Sequence, residues 1–176
     1  MTAIAAMIGR VGLVAMLVGL TAQAALAQGL ILKKRLSATL AMEAVMEAVD
    51  VCKKAGYAVS AIIVDTEGVR QAVLRGDGAT VHTLDSAYAK AYTAASLAPV
   101  RKDGSTKGLS ERIAKTPGVS TAGLASLPNI NFTPGGVTIM AGEDLIGGIG
   151  VGGAPGGNFD HDCAVTALAK TKDRMI

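Results

Sequence analysis

The chain has 176 residues, a formal net charge of +3, no tryptophan, three tyrosines and two phenylalanines. That length is the size of one domain, and the charge is too weak and the aromatics too few for a nucleic-acid surface, which needs a basic stripe with stacking rings. Two cysteines, Cys52 and Cys163, with no C-x-x-C pair, exclude a four-cysteine zinc site.

The first 27 residues read as a leader. One positive charge at Arg10 precedes an uncharged apolar run from Val11 to Leu20, and small residues follow at Ala25 and Ala27. This is the three-part pattern of a secretory signal, with cleavage expected after Ala27. The alternative is a membrane anchor, but the fully apolar run falls short of the ~20 residues that a span needs. The expected mature domain is then 28–176, periplasmic or secreted, with a net charge of +2 once Arg10 is gone. Export also makes a disulfide between Cys52 and Cys163 permissible.

Residues 37–55 read as a helix capped by Ser37. Ala41, Val45, Ala48 and Cys52 recur on one face; Glu43, Glu47, Asp50 and Lys54 lie on another. Gly56 suits the left-handed position that follows. A strand is expected over 57–65, with 69–75 as its hairpin partner. Residues 82–98 form a second helix with Thr83 as its N-cap and Leu84, Ala87, Tyr88, Ala91 and Ala95 on one face; Pro99 should stop it. Residues 101–128 are less regular, with one short helix at "STKGLSERIA". A second hairpin pairs 137–142 with 145–151 around Glu143 and Asp144, and a last helix covers 159–175 with Ala164, Ala167, Leu168, Thr171 and Met175 on its apolar face. Two hairpins separated by helices point to an α+β domain, one antiparallel sheet backed by helices.

The run "GGIGVGGAPGG" (147–157) contains G-x-G-x-x-G at Gly148, Gly150 and Gly153. A dinucleotide loop must follow a strand and open a helix inside a βαβ unit. Here two of the glycines fall within the strand, Pro155 and further glycines separate it from the helix, and no later strand exists. The nucleotide reading is rejected. Bare strand positions instead let another backbone, or a flat ligand, approach closely, and "GGAPGG" reads as a flexible lead-in to the last helix.

Four blocks in order, "AVSAIIVDTEGVRQAVLRGDGA", "HTLDSAYAKAYTAAS", "PGGVTIMAGEDLIGGIGVGGAPGG" and "DHDCAVTAL", carry a more specific signal. Over residues 38–173 the chain resembles the GlcG/HbpS-like family of haem-binding proteins, which includes the C-terminal domain of PduO-type proteins. The resemblance implies a five-stranded antiparallel sheet flanked by helices in a profilin-like layout, homo-oligomers, and haem as cofactor. For some members it implies haem degradation or iron storage, and for some exported members service as accessory to a membrane sensor kinase. Two alternatives stay open: a haem-free oligomeric module for a small molecule or sensor, and a haem-degrading enzyme.

Only two histidines are available as iron ligands. His82 is the first choice: it stands just before the second helix, histidine serves haem iron as proximal ligand, and a helix start suits a propionate carboxylate. Its alternative is a solvent-exposed turn. His161, between Asp160 and Asp162, reads as surface, with the aspartates serving the helix start. Tyr88 and Tyr92 are neighbours one turn apart; tyrosinate can ligate haem iron, though half-buried core rings are commoner. Arg75 either pairs a propionate or pairs Asp77 to pin its loop. Lys90 faces away from the helix stripe, toward a propionate or water. Met140 is most simply core. No catalytic residue is assigned: there is no G-x-S-x-G elbow and no H-E-x-x-H.

Overall fold

A computed structural model describes residues 29, 31–118 and 120–175; the expected leader, 1–27, lies outside the described residues. Residues from Lys34 onward form one compact unit. Its first helix, α1 (Ala38–Lys54), starts at Ser37, whose Oγ accepts from the Leu40 N–H at 3.2 Å, and it buries Ala41, Ala44, Val45, Ala48 and Cys52. Gly56, at φ +87°, then reverses the chain, and the Tyr57 N–H donates to the Cys52 carbonyl at 2.9 Å. The helix exit takes up Tyr57, and strand β1 runs from Ser60 to Asp65, buried throughout. The hairpin to β2 (Arg70–Arg75) is organised by Asp65, whose Oδ1 accepts from the Glu67 and Val69 N–H groups.

Helix α2 spans His82–Val100. Thr83 does not cap it. The cap position is Val81, in helical conformation, while the Thr83 hydroxyl donates to the Thr80 carbonyl at 2.6 Å and meets the Ser60 hydroxyl at 2.7 Å. Pro99 does not stop the helix at 98: it sits within the last turn at the cost of one helix bond, and the helix ends at the next residue, Val100. Then come α3 (Thr106–Lys115, capped by Ser105), the single turn α4 (Ala122–Ala125), β3 (Gly136–Ala141), β4 (Asp144–Gly152) and α5 (Gly157–Thr171), followed by a 3-10 turn, Lys172–Arg174. The last helix thus starts and ends earlier than its apolar spacing predicts.

The fold is α+β, with an antiparallel sheet in the order β2-β1-β4-β3. Among the described residues it has four strands, not the five that the resemblance implies. On the outer side of β3, residues 104–105 take only a single bridge: Ser105 faces Val137, and the Thr138 N–H donates to the Gly104 carbonyl at 3.0 Å. Helices α1 and α5 cover one sheet face, closing the main core over Ala61, Ile63, Ile139, Ile149 and Val151. Helix α2 covers the other, against Ile62 and Val64.

The glycines of β4 explain how α2 packs. A Cβ on Gly150 would lie 2.0 Å from the Ala87 carbonyl oxygen and 2.5 Å from the Ala91 nitrogen; one on Gly148 would lie 2.5 Å from the Ala91 oxygen. The close approach that a bare strand permits is therefore taken by the backbone of α2, whose alanines at 87, 91 and 95 complete the contact. The lead-in Gly153–Gly157 is held rather than loose, because the Ala154 N–H donates to Asp160 Oδ1 at 3.0 Å.

Candidate functional site

The expected ligand residues lie at one sheet edge, where β2 meets α2. Register does the gathering. Arg75 is opposite Ser60, Val73 opposite Ile62, and, after a bulge at Ile63/Val64, Arg70 is opposite Val64. Ser60, Ile62 and Val64 all face α2, so Arg70, Val73 and Arg75 share that face. Val73 is 42% exposed and Arg75 is exposed. From α2 come His82, exposed at the helix start, and Leu84 and Tyr88, half-buried over Ile62 and Val64. His82 Nδ1 lies 3.1 Å from Thr80 Oγ1. With Nδ1–H as donor, that bond fixes the ring and leaves the Nε2 lone pair outward, as a metal-ligating histidine requires. Arg70 stacks over the Tyr88 ring, 3.5 Å from its centroid, and the Tyr88 hydroxyl donates to the Gly68 carbonyl at 3.1 Å. The result is an apolar strip bordered by two guanidinium groups and an imidazole.

Other expected residues are elsewhere engaged. Lys90 meets neither propionate nor water: it is 3% exposed, and its ammonium donates to Asp160 Oδ2 at 2.7 Å and the Val151 carbonyl at 3.1 Å. The physical reason is that Gly135 leaves room for its stem, since a Cβ there would lie 3.0 Å from Lys90 Cδ. Asp160, expected at the helix start, is a buried counter-charge as well. Tyr92 packs against Tyr88 in a tilted arrangement, with centroids 6.1 Å apart, and its ring lies against Gly68, where φ is +77°. Asp77 pairs with Lys53 at 3.6 Å, both exposed, rather than with Arg75. Met140 is 42% exposed, not core.

His161 is half-buried, not surface. Its Nδ1 is shielded and has no hydrogen-bond partner. Burial holds its pKa below the usual histidine value; Lys107 on α3 adds to this, and Asp162 and Glu111 oppose it. Cys52 and Cys163 form a disulfide between α1 and α5, with Cα atoms 5.6 Å apart. No cluster of three or more His, Cys, Asp or Glu able to hold a metal occurs among the described residues, and no helix among them is long and apolar enough to cross a membrane.

Arg70 and Val73 were not legible as site residues. Strict two-residue alternation puts Arg70 on the face opposite Arg75; only the bulge returns it to the same side.

A four-stranded antiparallel sheet with a helix seated on a glycine strand, and a basic–apolar strip on its edge, defines a small α+β class. The particular family follows from comparison. The model of the family described as haem degrading protein HbpS-like matches residues 36–169, and the chain belongs to this family. A double mutant of HbpS from Streptomyces reticuli is 35% identical, with 83% of this chain and 93% of that chain covered and a TM-score of 0.71. A PduOC complex with heme is 26% identical, covering 77% and 94%, with a TM-score of 0.63. Protein ORFY of Klebsiella pneumoniae, 24% identical and covering 84% and 97% at a TM-score of 0.70, shares the fold. A comparison with curated proteins gives no match.

Proposed function

We propose that this chain binds haem on the strip between β2 and α2. The observation that carries this reading is the register of β2, which sets Arg70, Val73 and Arg75 on one face beside His82 and Leu84. These residues fit the group. Val73 and Leu84 supply an apolar surface for a porphyrin. Two guanidiniums suit propionates, which arginine binds in a bidentate fork. His82, held through Nδ1, offers Nε2 to iron. Bound haem would bring redox-active iron to this edge. Tyr88, its hydroxyl already donating to Gly68, serves as a wall rather than a ligand.

The test is a haem titration followed by absorbance. Wild-type protein should develop a saturable Soret band, His82→Ala should shift or lose it, and Arg75→Gln should weaken binding. An unchanged His82→Ala spectrum refutes the ligand assignment, and no band at all returns the chain to a haem-free binding module.

A second reading, haem degradation, is supported by the family's description. Haem loss with peroxide or reductant, faster than without protein, would favour it. We further propose export to the periplasm or the medium after cleavage near Ala27, and a homo-oligomer serving a membrane sensor. The Cys52–Cys163 disulfide supports export, because such bonds persist in oxidising compartments.

A further inference from the structure

A groove of about 340 Å³ runs between the edge strand β3 and helix α5, on the sheet edge opposite β2. Its walls are Ile139, Met140, Val165, Leu168 and Met175, with Lys172 at the rim. Met140 and Val165 are 42% and 43% exposed there. Nothing in the haem reading uses this surface.

The charges around it are selective. Three basic residues, Lys170, Lys172 and Arg174, alternate here with Thr171 and Asp173. Lys170 is paired with Glu47, and Arg174 with Glu43 at 2.6 Å. Lys172, between them, is the only charged residue lining the groove and has no ion-pair or hydrogen-bond partner among the described residues. It stands at the C-terminal end of α5 and is exposed. A trough of aliphatic and methionine side chains ending at one unpaired cation complements a flexible apolar chain with a single anionic head. Methionine suits such a ligand, because its unbranched side chain adapts to irregular contact.

We propose that the β3–α5 groove binds a free medium-chain alkyl carboxylate, its chain along Met140, Val165 and Leu168 and its head at Lys172. Each methylene entering the groove should add about fourfold in affinity, the equivalent of ~0.8 kcal/mol per buried CH₂, until the groove is full. A partly exposed ammonium–carboxylate pair should add only about threefold.

The full-length protein, with methionine methyls labelled for NMR, is titrated with hexanoate, octanoate, decanoate and dodecanoate at neutral pH. Met140 and Met175 methyl signals should shift, with affinity climbing along the series and then levelling. Lys172→Gln should lower decanoate affinity about threefold and leave decanol unchanged, while Val165→Trp, which fills the trough from an exposed position, should abolish both. Affinity independent of chain length overturns the proposal, as does binding that survives Val165→Trp. So does a response only to phosphatidylglycerol vesicles, which would make this a membrane-facing surface. A wild-type oligomer that Val165→Trp dissociates, without carboxylate binding, would assign the groove to a second copy and overturn it as well. The haem spectrum of these variants should stay as in wild type, so either reading can fail alone.

Discussion

Lys90→Met removes one half of an ion pair that water scarcely reaches. Lys90 is 3% exposed and Asp160 2%. The carboxylate would keep only the Ala154 N–H, while its charge stays buried. Breaking such a pair costs about 3–5 kcal/mol, out of the ~5–15 kcal/mol that stabilises a typical domain. The melting temperature should fall by about 10 °C or more. In the double variant Lys90→Met/Asp160→Asn no charge is buried, and the asparagine oxygen can still accept from Ala154. It should regain about 2 kcal/mol relative to the sum of the single losses. Urea unfolding of the four proteins gives that coupling directly. Strict additivity, or a Lys90→Met loss below about 1 kcal/mol, would refute the view that this pair, rather than the packing of the lysine stem alone, holds the loop after β4 to α2.

Three further outcomes are expected. Gly150→Ala drives a methyl into the Ala87 carbonyl and should cost about 3 kcal/mol or more, whereas Gly123→Ala, with nothing within 4 Å, should stay within about 0.5 kcal/mol of wild type in the same unfolding assay. Replacing Cys52 and Cys163 together by alanine frees a loop spanning 111 positions and should lower stability by up to about 4.8 kcal/mol; reduction of wild type should reproduce most of that shift in urea midpoint. His161 titrates below its unfolded value of 6.5 because burial penalises the charged ring. The unfolded chain therefore binds more protons, and stability should decline as pH falls below about 6.5, levelling once the native ring is also protonated. His161→Gln should flatten that part of the pH profile of the urea midpoint.

The order of helices and hairpins, the antiparallel pairing and the family were legible in the sequence, because each rests on local periodicity or on long ordered blocks. The Ser37 cap was legible for the same reason. What escaped depended on partners far along the chain. Lys90 looked like a solvent-facing lysine because helical spacing cannot reveal Asp160, 70 residues away. Thr83 looked like a cap because its type suits one; Ser60, on another element, engages its hydroxyl instead. Arg70 was hidden by a bulge that no alternation signals. Arg75 does not pair with Asp77, which instead meets Lys53 on α1, a partner that spacing within the loop does not reveal. The glycine run was half legible: its place in a strand excluded a nucleotide loop, but which backbone would fill the bare surface needed the third dimension.

That contact between glycine strand and alanine helix has a consequence for how the molecule can change. Neither side has slack. Gly148 and Gly150 cannot be replaced by anything smaller, and a larger residue at Ala87 or Ala91 has nowhere to go. The centre of the sheet is thus a frozen joint, where no compensating pair of substitutions exists. Variation is pushed outward to the two margins, β2 and β3, where side chains meet solvent. A protein built this way can vary the side chains of either rim without disturbing the frame that holds both rims apart.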